Sequence, residues 1–270
     1  MSCPVPTTTE AMTGTTHCKS SLPSRSTAPT MPLRLRLIAE SSIPIEVDTV
    51  RLETAREQTL KALLTTPVQQ GNVQEQLGEF FEATGSASDD DTLIWEGDCS
   101  SVKLIATGLS AGTVRVEGNA GMHLGAEMTG GEVLVEGDAD DWAGAEMHGG
   151  RIRIHGNAGH LVGAVYRGGH RGMTGGEILV HGDAGNEIGH AMRRGLIAIG
   201  GRSGDAIGVG LIAGTIVSAG EVGIRHGAGM KRGSIILLSG ESAPEMLPTF
   251  RDSGLCQPTF LRIYLRHLDS

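Results

Sequence analysis

The sequence predicts a right-handed parallel β-helix with a repeat of 19 residues, about seven coils, and small capping segments at both ends. Three observations predict this fold. Glycines recur at a fixed period in three registers, the segments between them alternate apolar and polar residues, and all three registers shift together at one insertion. A single 19-residue unit cannot bury its own apolar side, whereas stacked copies bury a continuous core.

The glycine period is regular enough to exclude coincidence. The first register has spacings of 19, 19, 26, 19, 19 and 19 residues and consists of Gly112, Gly131, Gly150, Gly176, Gly195, Gly214 and Gly233. Two further registers begin at Gly118 and Gly125 and keep the same period and the same jump of seven residues. We therefore interpret each 19-residue unit as one coil, with an insertion in one of them.

The alternating segments TVRVEG, RIRIHG and EILVHG predict strands with one buried face. A first set of inward side chains is expected at Val114, Val116, Val133, Val135, Ile152, Ile154, Ile178, Val180, Ile197, Ile199, Ile216, Ile235 and Leu237. A second inward file is expected at Met128, Met147, Met173, Met192, Leu211 and Met230. At one corner, Asn119, Asp138, Asn157 and Asp183 are expected to adopt positive φ, which these residue types tolerate.

The flanking segments lack the repeat. Residues 1–31 are rich in Ser, Thr and Pro and are expected to form a disordered tail, with Met31 as an alternative start to Met1. We expect an N-terminal capping segment at 32–91, partly helical over 53–83 and ending in a linker at 84–91, then the β-helix at 92–243 and a C-terminal cap at 244–270. Caps are expected because open strand edges aggregate.

Composition excludes several classes of function. The net charge of −9 without a basic stripe argues against nucleic acid as a partner. The four cysteines are scattered and form no CxxC pair, which favours reduced thiols and a cytoplasmic protein over a disulfide framework or a metal knuckle. No apolar run approaches the length of a membrane span.

Catalytic motifs are not supported by the pattern. GLSAG at 108–112 resembles a nucleophile elbow, but Ser110 is equivalent to Thr129, His148 and Thr174 in later coils, so it is an ordinary corner position. His155 and His181 lie at equivalent positions, yet surface histidines of this kind are more often solvated than metal-bound. We predict no catalytic and no metal-binding residue, and the sequence leaves any cofactor-binding residue unknown.

Two groups of residues are candidate contacts for a partner or a polyanion. The insertion VYRGGHRG between Ala164 and Met173 must project from the side of one coil, although surface loops also accept insertions at little cost. Corner cations in equivalent registers could line one edge and pair with an acidic surface, although solvated charge is an equal alternative. The candidates are Tyr166, Arg167, His170 and Arg171 in the insertion, and Arg193, Arg194, Lys231 and Arg232 at the corners.

Several segments together resemble a known family over about residues 32–268. They are IPIEVDTV, LGEFFEATG, the GNAG and GDAG coils, YRGGHRGMTGGEI, MRRGLIAIGG, IAGTIV, GMKRGSI, and the tail segments LPTF and PTFLRIYLRHL. The chain resembles the C subunit of formylmethanofuran dehydrogenase, and especially its relative in the formyltransferase/hydrolase complex of aerobic methylotrophs. The β-helix also resembles the C-terminal domain of glutamate synthase.

The resemblance implies a scaffold subunit of a hetero-oligomer, with no active site and no bound cofactor of its own. The implied partners are an amidohydrolase-like A subunit, a B subunit and a formyltransferase D subunit. They would use a methanofuran-type cofactor and tetrahydromethanopterin in one-carbon metabolism, from formaldehyde to formate, with the metal held elsewhere in the complex.

Three alternatives remain open. One is the C subunit of a molybdenum or tungsten dehydrogenase, although 18 Arg against 4 Lys fits a thermophilic methanogen poorly. The second is a glutamate-synthase-like β-helix protein. The third is a stand-alone β-helix enzyme acting on carbohydrate or acyl groups, which requires a cluster of carboxylates or histidines along one groove.

Overall fold

The computed structural model describes residues 31–39, 41–88, 90–239, 245–255 and 258–268. Residues 1–30 of the predicted tail lie outside the described part, as do residues 240–244 at the predicted boundary between β-helix and C-terminal segment. The described residues form a parallel β-helix, as the sequence predicts.

The segment before the coils contains more strand than the sequence indicates. Two short helices lie within or beside the predicted helical stretch, but strands follow them. The elements are β1 (Leu33–Leu37), β2 (Ile45–Glu46), α1 (Leu52–Ala55), α2 (Leu60–Leu64), β3 (Pro67–Gln70), β4 (Val73–Gln76), a 3₁₀ turn (Leu77–Glu79) and β5 (Phe81–Thr84). The strands β3 and β4 form an antiparallel hairpin around Gly71, and their glutamine-rich sequence lacks the apolar alternation that indicates a strand.

The coils stack through one long parallel sheet. Their elements are β6 (Thr92–Glu96), β7 (Val102–Lys103), β8 (Thr113–Glu117), β9 (Glu132–Val135), β10 (Arg151–Ile154), β11 (Glu177–Val180), β12 (Leu196–Ile199), β13 (Thr215–Ser218) and β14 (Ser234–Leu237), followed by α3 (Thr259–Leu268). The ten-stranded sheet runs in the order β14-β13-β12-β11-β10-β9-β8-β6-β1-β5, and only β1 and β5 pair antiparallel. A smaller sheet has the order β4-β3-β2-β7.

The solenoid has about eight turns, which agrees with the prediction of about seven. The first coil lies within the predicted range 92–243 but before the glycine registers, and it contributes a full strand, because β6 pairs in parallel with β8 from Thr92 to Glu96. On a second side, successive coils are joined by single parallel bridges that run from Cys99 through Ala120 to Val222. The predicted inward side chains of the coils before the last one are buried, and Met128, Met147 and Met173 line one interior file.

The last coil differs because no further coil covers it in the described part of the chain. Met230, Ile235 and Leu237 are only half-buried, whereas their equivalents in earlier coils are fully buried. A Cβ atom on Gly208 would meet Ile235 Cδ1 at 2.8 Å, and one on Gly227 would meet Phe250 Cζ at 2.8 Å. The Phe250 ring therefore takes the place of the inward isoleucine that a further coil would supply.

The corner of Asn and Asp residues does not have the positive φ that we expected. Each side chain instead accepts a hydrogen bond from a backbone N–H of the following coil. These residues therefore serve to join coils and not to form a left-handed turn. The bonds join Asn119 Oδ1 to Asp138 N (2.9 Å), Asp138 Oδ1 to Asn157 N (2.7 Å), Asn157 Oδ1 to Asp183 N (2.9 Å) and Asp183 Oδ1 to Arg202 N (2.7 Å). Positive φ occurs at another turn position, shared by His123 (64°), Trp142 (68°) and Leu161 (63°).

This corner predicts a pH dependence of stability. The Arg202 backbone N–H and guanidinium hold the pKa of Asp183 below its ordinary value of 3.8. A lowered pKa means that the unfolded chain takes up the proton first, so the stabilisation is complete above the unfolded pKa and disappears as pH falls through the folded pKa. In Asp183→Asn, which keeps the acceptor oxygen, the unfolding temperature should therefore fall less than in wild type between about pH 5 and about pH 2.

Thermal unfolding followed by circular dichroism across that range measures the difference. Asp48→Asn is the matched control, because Asp48 is exposed and makes no ion pair with a described residue. Identical pH profiles for Asp183→Asn and Asp48→Asn would contradict the role of the Arg202 contact.

Candidate interaction site

The insertion at 165–171 is tied to the coils on both sides. Val165 is buried, the Tyr166 N–H donates to Glu146 Oε1 at 3.1 Å, and the Gly172 N–H donates to the Ala191 carbonyl at 3.1 Å. The loop therefore leaves the coil at a defined position and returns beside the next coil.

Tyr166 fastens the loop through an aromatic stack formed by His123, Trp142 and Tyr166. The Tyr166 and Trp142 rings stack with centroids 5.2 Å apart and an interplanar angle of 26°. The His123 ring lies 5.5 Å from Tyr166 and 6.0 Å from Trp142. Because His123 and Trp142 occupy the same position in two earlier coils, the insertion folds back towards the N-terminal end of the solenoid.

Burial favours the uncharged forms of the Tyr166 phenol and the His123 imidazole. Burial raises the pKa of Tyr166 to about 12, and the carboxylates of Glu127 and Glu146 act in the same direction. Burial also lowers the pKa of His123, with a further contribution from Lys103. A phenol that stays protonated and an imidazole that stays neutral suit packing rather than proton transfer.

The titration of Tyr166 is a direct test of this packing. In a Tyr264→Phe background, where Tyr166 is the remaining tyrosine, tyrosinate absorbance should rise with a midpoint of about 12. Because the folded pKa is raised above the ordinary value of 10.0, the corresponding stability is present below pH 10.0 and is lost as pH approaches 12. Adding Trp142→Ala should open the stack and move the midpoint towards 10.0. An unchanged midpoint in that variant would mean that the stack does not bury the phenol.

The tip of the insertion is basic and exposed. Arg167, His170 and Arg171 all face solvent, and none makes an ion pair with a described carboxylate. By contrast, the outward arginines of the strands are paired: Arg115 with Glu136 at 2.7 Å, and Arg151 with Glu177 at 2.8 Å. The two projecting arginines, Arg167 and Arg171, thus have no carboxylate partner among the described residues and can pair with another molecule.

The corner cations lie on one edge, as the register predicts. The Arg193 N–H bonds to the Met173 carbonyl and the Lys231 N–H to the Leu211 carbonyl, which places these two residues in the same file two coils apart. That separation corresponds to about 10 Å along the solenoid. Their neighbours Arg194 and Arg232 occupy the adjacent file. We call this set of four residues the basic edge.

The basic edge also lacks described ion-pair partners. Arg194, Lys231 and Arg232 are exposed. Arg193 is half-buried, and its Nε atom is shielded from solvent without a hydrogen-bond partner among the described residues. Thr174 is the equivalent position in the coil that carries the insertion, so the loop runs directly into this edge.

Ser110 has a structural partner. Its N–H donates to Glu53 Oε1 at 2.9 Å and its hydroxyl to the same oxygen at 2.6 Å. Burial opposes ionisation of Glu53, but these hydrogen bonds keep its pKa below the ordinary value. Ser110 therefore joins helix α1 to the first corner, and no imidazole bonds to its hydroxyl in the described part of the chain.

Histidines on the outer surface pair with neighbours in adjacent coils. His148 Nδ1 lies 2.7 Å from Thr174 Oγ1, the His155 and His181 rings stack at 4.9 Å, and His155 Nδ1 lies 2.9 Å from Glu136 Oε2. Within the described ranges, no group of three or more His, Cys, Asp or Glu residues is arranged to hold a metal ion. None of the helices in those ranges has the length and apolarity that crossing a membrane requires.

Sequence reasoning missed His123 and Trp142. Both lie outside the alternating strands, so the core pattern does not mark them. A usable signal was present: Trp142 is one of two tryptophans and lies 19 residues after His123, in the coils just before the insertion.

Comparisons with known proteins agree on a family. The model of the GXGXG motif family matches residues 97–247, more than half of the chain. The C subunit of the molybdenum-containing formylmethanofuran dehydrogenase 1 of Methanothermobacter marburgensis is 41% identical over 87 residues, or 32% of this chain and 22% of the relative. The C subunit of the tungsten-containing formylmethanofuran dehydrogenase 2 of Methanothermobacter thermautotrophicus is 37% identical over 90 residues, or 32% of this chain and 33% of the relative.

A solved structure covers far more of the chain. The crystal structure of the formyltransferase/hydrolase complex FhcABCD from Methylorubrum extorquens, with methylofuran bound, contains a chain that is 30% identical and superposes with a TM-score of 0.81. The match includes 88% of this chain and 88% of that chain. The alignments with the curated dehydrogenase subunits, in contrast, span only about a fifth to a third of those subunits.

Proposed function

The chain belongs to the GXGXG family, as a homologue of the formylmethanofuran dehydrogenase C subunit, and from this premise we propose that it is a non-catalytic scaffold subunit of a formyltransferase/hydrolase complex. The observation that supports this most is the match to a chain of such a complex over 88% of both chains at a TM-score of 0.81. The dehydrogenase relatives align over about a third of this chain or less.

In this proposal the β-helix is a rigid column whose sides dock the catalytic subunits. An amidohydrolase-like A subunit, a B subunit and a formyltransferase D subunit handle formyl groups on a methanofuran-like cofactor and tetrahydromethanopterin in the cytoplasm. The reactions belong to one-carbon metabolism between formaldehyde and formate, with the metal elsewhere in the complex. Stacking suits this role because each coil is held by both neighbours.

The insertion and the basic edge are the proposed contact surfaces. The insertion presents Arg167, His170 and Arg171 on a loop that the aromatic stack holds in place. The basic edge presents cations without described carboxylate partners, which suits an acidic partner surface or a polyanionic ligand. These features distinguish the two surfaces from the ion-paired strands.

Purification through a tag on this chain tests the scaffold role. We expect mass spectrometry to identify the other three subunits, formyl-hydrolase activity in the complex, and none in the isolated chain. Turnover by the isolated chain, or the absence of those subunits, would contradict the proposal. Molybdenum or tungsten in the purified complex would instead favour the dehydrogenase version.

Binding of a synthetic oligoaspartate to the isolated chain tests the basic edge. We expect affinity that falls with added salt and falls at least about tenfold when Arg193 and Arg194 are both changed to glutamine. Arg225→Gln is the matched control, because Arg225 is exposed but lies in a different file. Salt-independent binding, or equal affinity in the double variant and the control, would remove the role of this edge.

A further inference from the structure

Among the strands of the described ranges, β14 ends the ten-stranded sheet and has one edge without a neighbouring strand. The Ser234 N–H bonds to the Gly214 carbonyl at 2.9 Å, and the Leu238 N–H bonds to the Ser218 carbonyl at 2.8 Å. Alternate residues of a parallel strand direct their backbone N–H and C=O groups to opposite neighbouring strands. The backbone groups of residues 234, 236 and 238 therefore face β13, whereas those of Ile235 and Leu237 face the open edge. Among the described residues β14 pairs with β13 alone, and no carbonyl of a turn or loop accepts the N–H of Ile235 or Leu237.

The side chains at this edge lack the layer that buries their equivalents. Ile216 and Ser218 in β13 are fully buried, whereas Ile235 and Leu237 are half-buried although they point into the same interior. Phe250 supplies a substitute layer at Gly227, on the turn side of the coil. Each earlier strand is covered by the strand of the next coil, but no described residues cover β14 in this way.

Charge at the start of β14 restricts what can fill this position. Lys231 and Arg232 are exposed in the corner that leads into the strand, and neither makes an ion pair with a described residue. A segment added in parallel brings the residues before its strand next to this corner. Acidic residues there would pair with the two cations.

We propose that an extended segment of a partner subunit joins β14 as a further parallel strand. The segment carries acidic residues followed by aliphatic residues at alternate positions, which cover Ile235 and Leu237. Main-chain hydrogen bonds supply affinity in this mode of recognition, and alternate side chains supply specificity. The inference rests on the proposed function, since it requires a complex.

A second copy of this chain fits the edge less well. Parallel pairing of two β14 strands would bring Lys231 and Arg232 against the same cations. Antiparallel pairing would bring them against Leu238 and Ser239, which are uncharged. Neither arrangement places a carboxylate beside Lys231 and Arg232, whereas an acidic partner segment does.

Amide hydrogen exchange compares the isolated chain with the complex purified through it. The amides of Ile235 and Leu237 should exchange rapidly in the isolated chain and at least about tenfold more slowly in the complex. Slow exchange already in the isolated chain, or a dimer of this chain by mass, would overturn the proposal because the edge would then be covered without a partner. Unchanged exchange in an intact complex would overturn it as well, while leaving the scaffold role standing.

Two substitutions at one position isolate the backbone contribution. Leu237→Pro removes an N–H that faces away from β13, so no hydrogen bond to β13 is lost. Edge strands tolerate proline at such positions. Leu237→Ala removes the side chain and keeps the N–H. We expect Leu237→Pro to retain at least about tenfold less partner than Leu237→Ala at a similar unfolding temperature. Equal retention would overturn the inference, and a wild-type chain that retains no partner would overturn both proposals. If Leu237→Pro does not fold, the exchange measurement decides.

Discussion

Replacing Gly150 with alanine is expected to destabilise the β-helix by about 3 to 4 kcal/mol, as the sum of left-handed strain and an overpacked contact. Gly150 has φ of +86°, which costs an L-residue about 1–2 kcal/mol. A Cβ there would lie 2.6 Å from the Gly130 carbonyl oxygen and 2.8 Å from that of Gly131. Both oxygens belong to the backbone of the preceding coil, so the whole coil must shift to make room.

Gly168→Ala separates the two causes. Gly168 has the same φ of +86°, but no heavy atom lies within 4 Å of the position its Cβ would occupy. This variant should lose only the conformational part, about 1–2 kcal/mol. Denaturant unfolding of both variants and wild type measures the free energies of unfolding. Equal losses at the two positions would show that coil-to-coil contact does not restrict the glycine registers.

Deleting residues 165–171 is expected to weaken binding to the partner subunits at least about tenfold while leaving the β-helix folded. The deletion joins Ala164 to Gly172 and restores the 19-residue spacing to Met173. It removes two exposed arginines and an exposed histidine at the tip, and the Tyr166 ring that covers Trp142. Affinity of the separated subunits for wild type and variant, with circular dichroism as the folding check, measures both effects.

Two smaller changes distinguish charge from loop position. Changing Arg167 and Arg171 to glutamine keeps the Tyr166 contacts and should weaken binding mainly at low salt. Tyr166→Ala keeps the charges but releases the loop from Trp142, so it should weaken binding at all salt concentrations. Wild-type affinity after the full deletion would show that the insertion is not a contact surface.

The repeated part of the fold was predictable because several constraints coincide in every coil. Glycine is required where a Cβ would collide with the preceding coil, as at Gly150, and aliphatic residues are required on the inward strand face. The strands β3 and β4 escaped prediction, because they consist largely of polar residues in a hairpin with little buried surface. The first coil lies within the predicted β-helix at 92–243, although the glycine registers begin only after β6.

The candidate site was predictable only in its charges. The register of the repeat places Arg193 and Lys231 in one file, and an insertion must project. The contact of Tyr166 with Trp142 depends on which way the loop folds. The repeat pattern does not give that direction, and the one signal for it is that His123 and Trp142 lie in the two coils just before the insertion. The role of Asn119 and its equivalents was misjudged because residue type allows positive φ, whereas the bond to the next coil is a property of stacking.

The corner bonds from Asn119 to Arg202 have a polarity along the chain. In every one of them the side-chain acceptor comes earlier in the sequence than the backbone donor. On the ribosome, where the N-terminal part emerges first, each completed coil already presents the oxygen to which its successor binds. As far as these side-chain bonds are concerned, growth of the column can therefore follow translation in one direction.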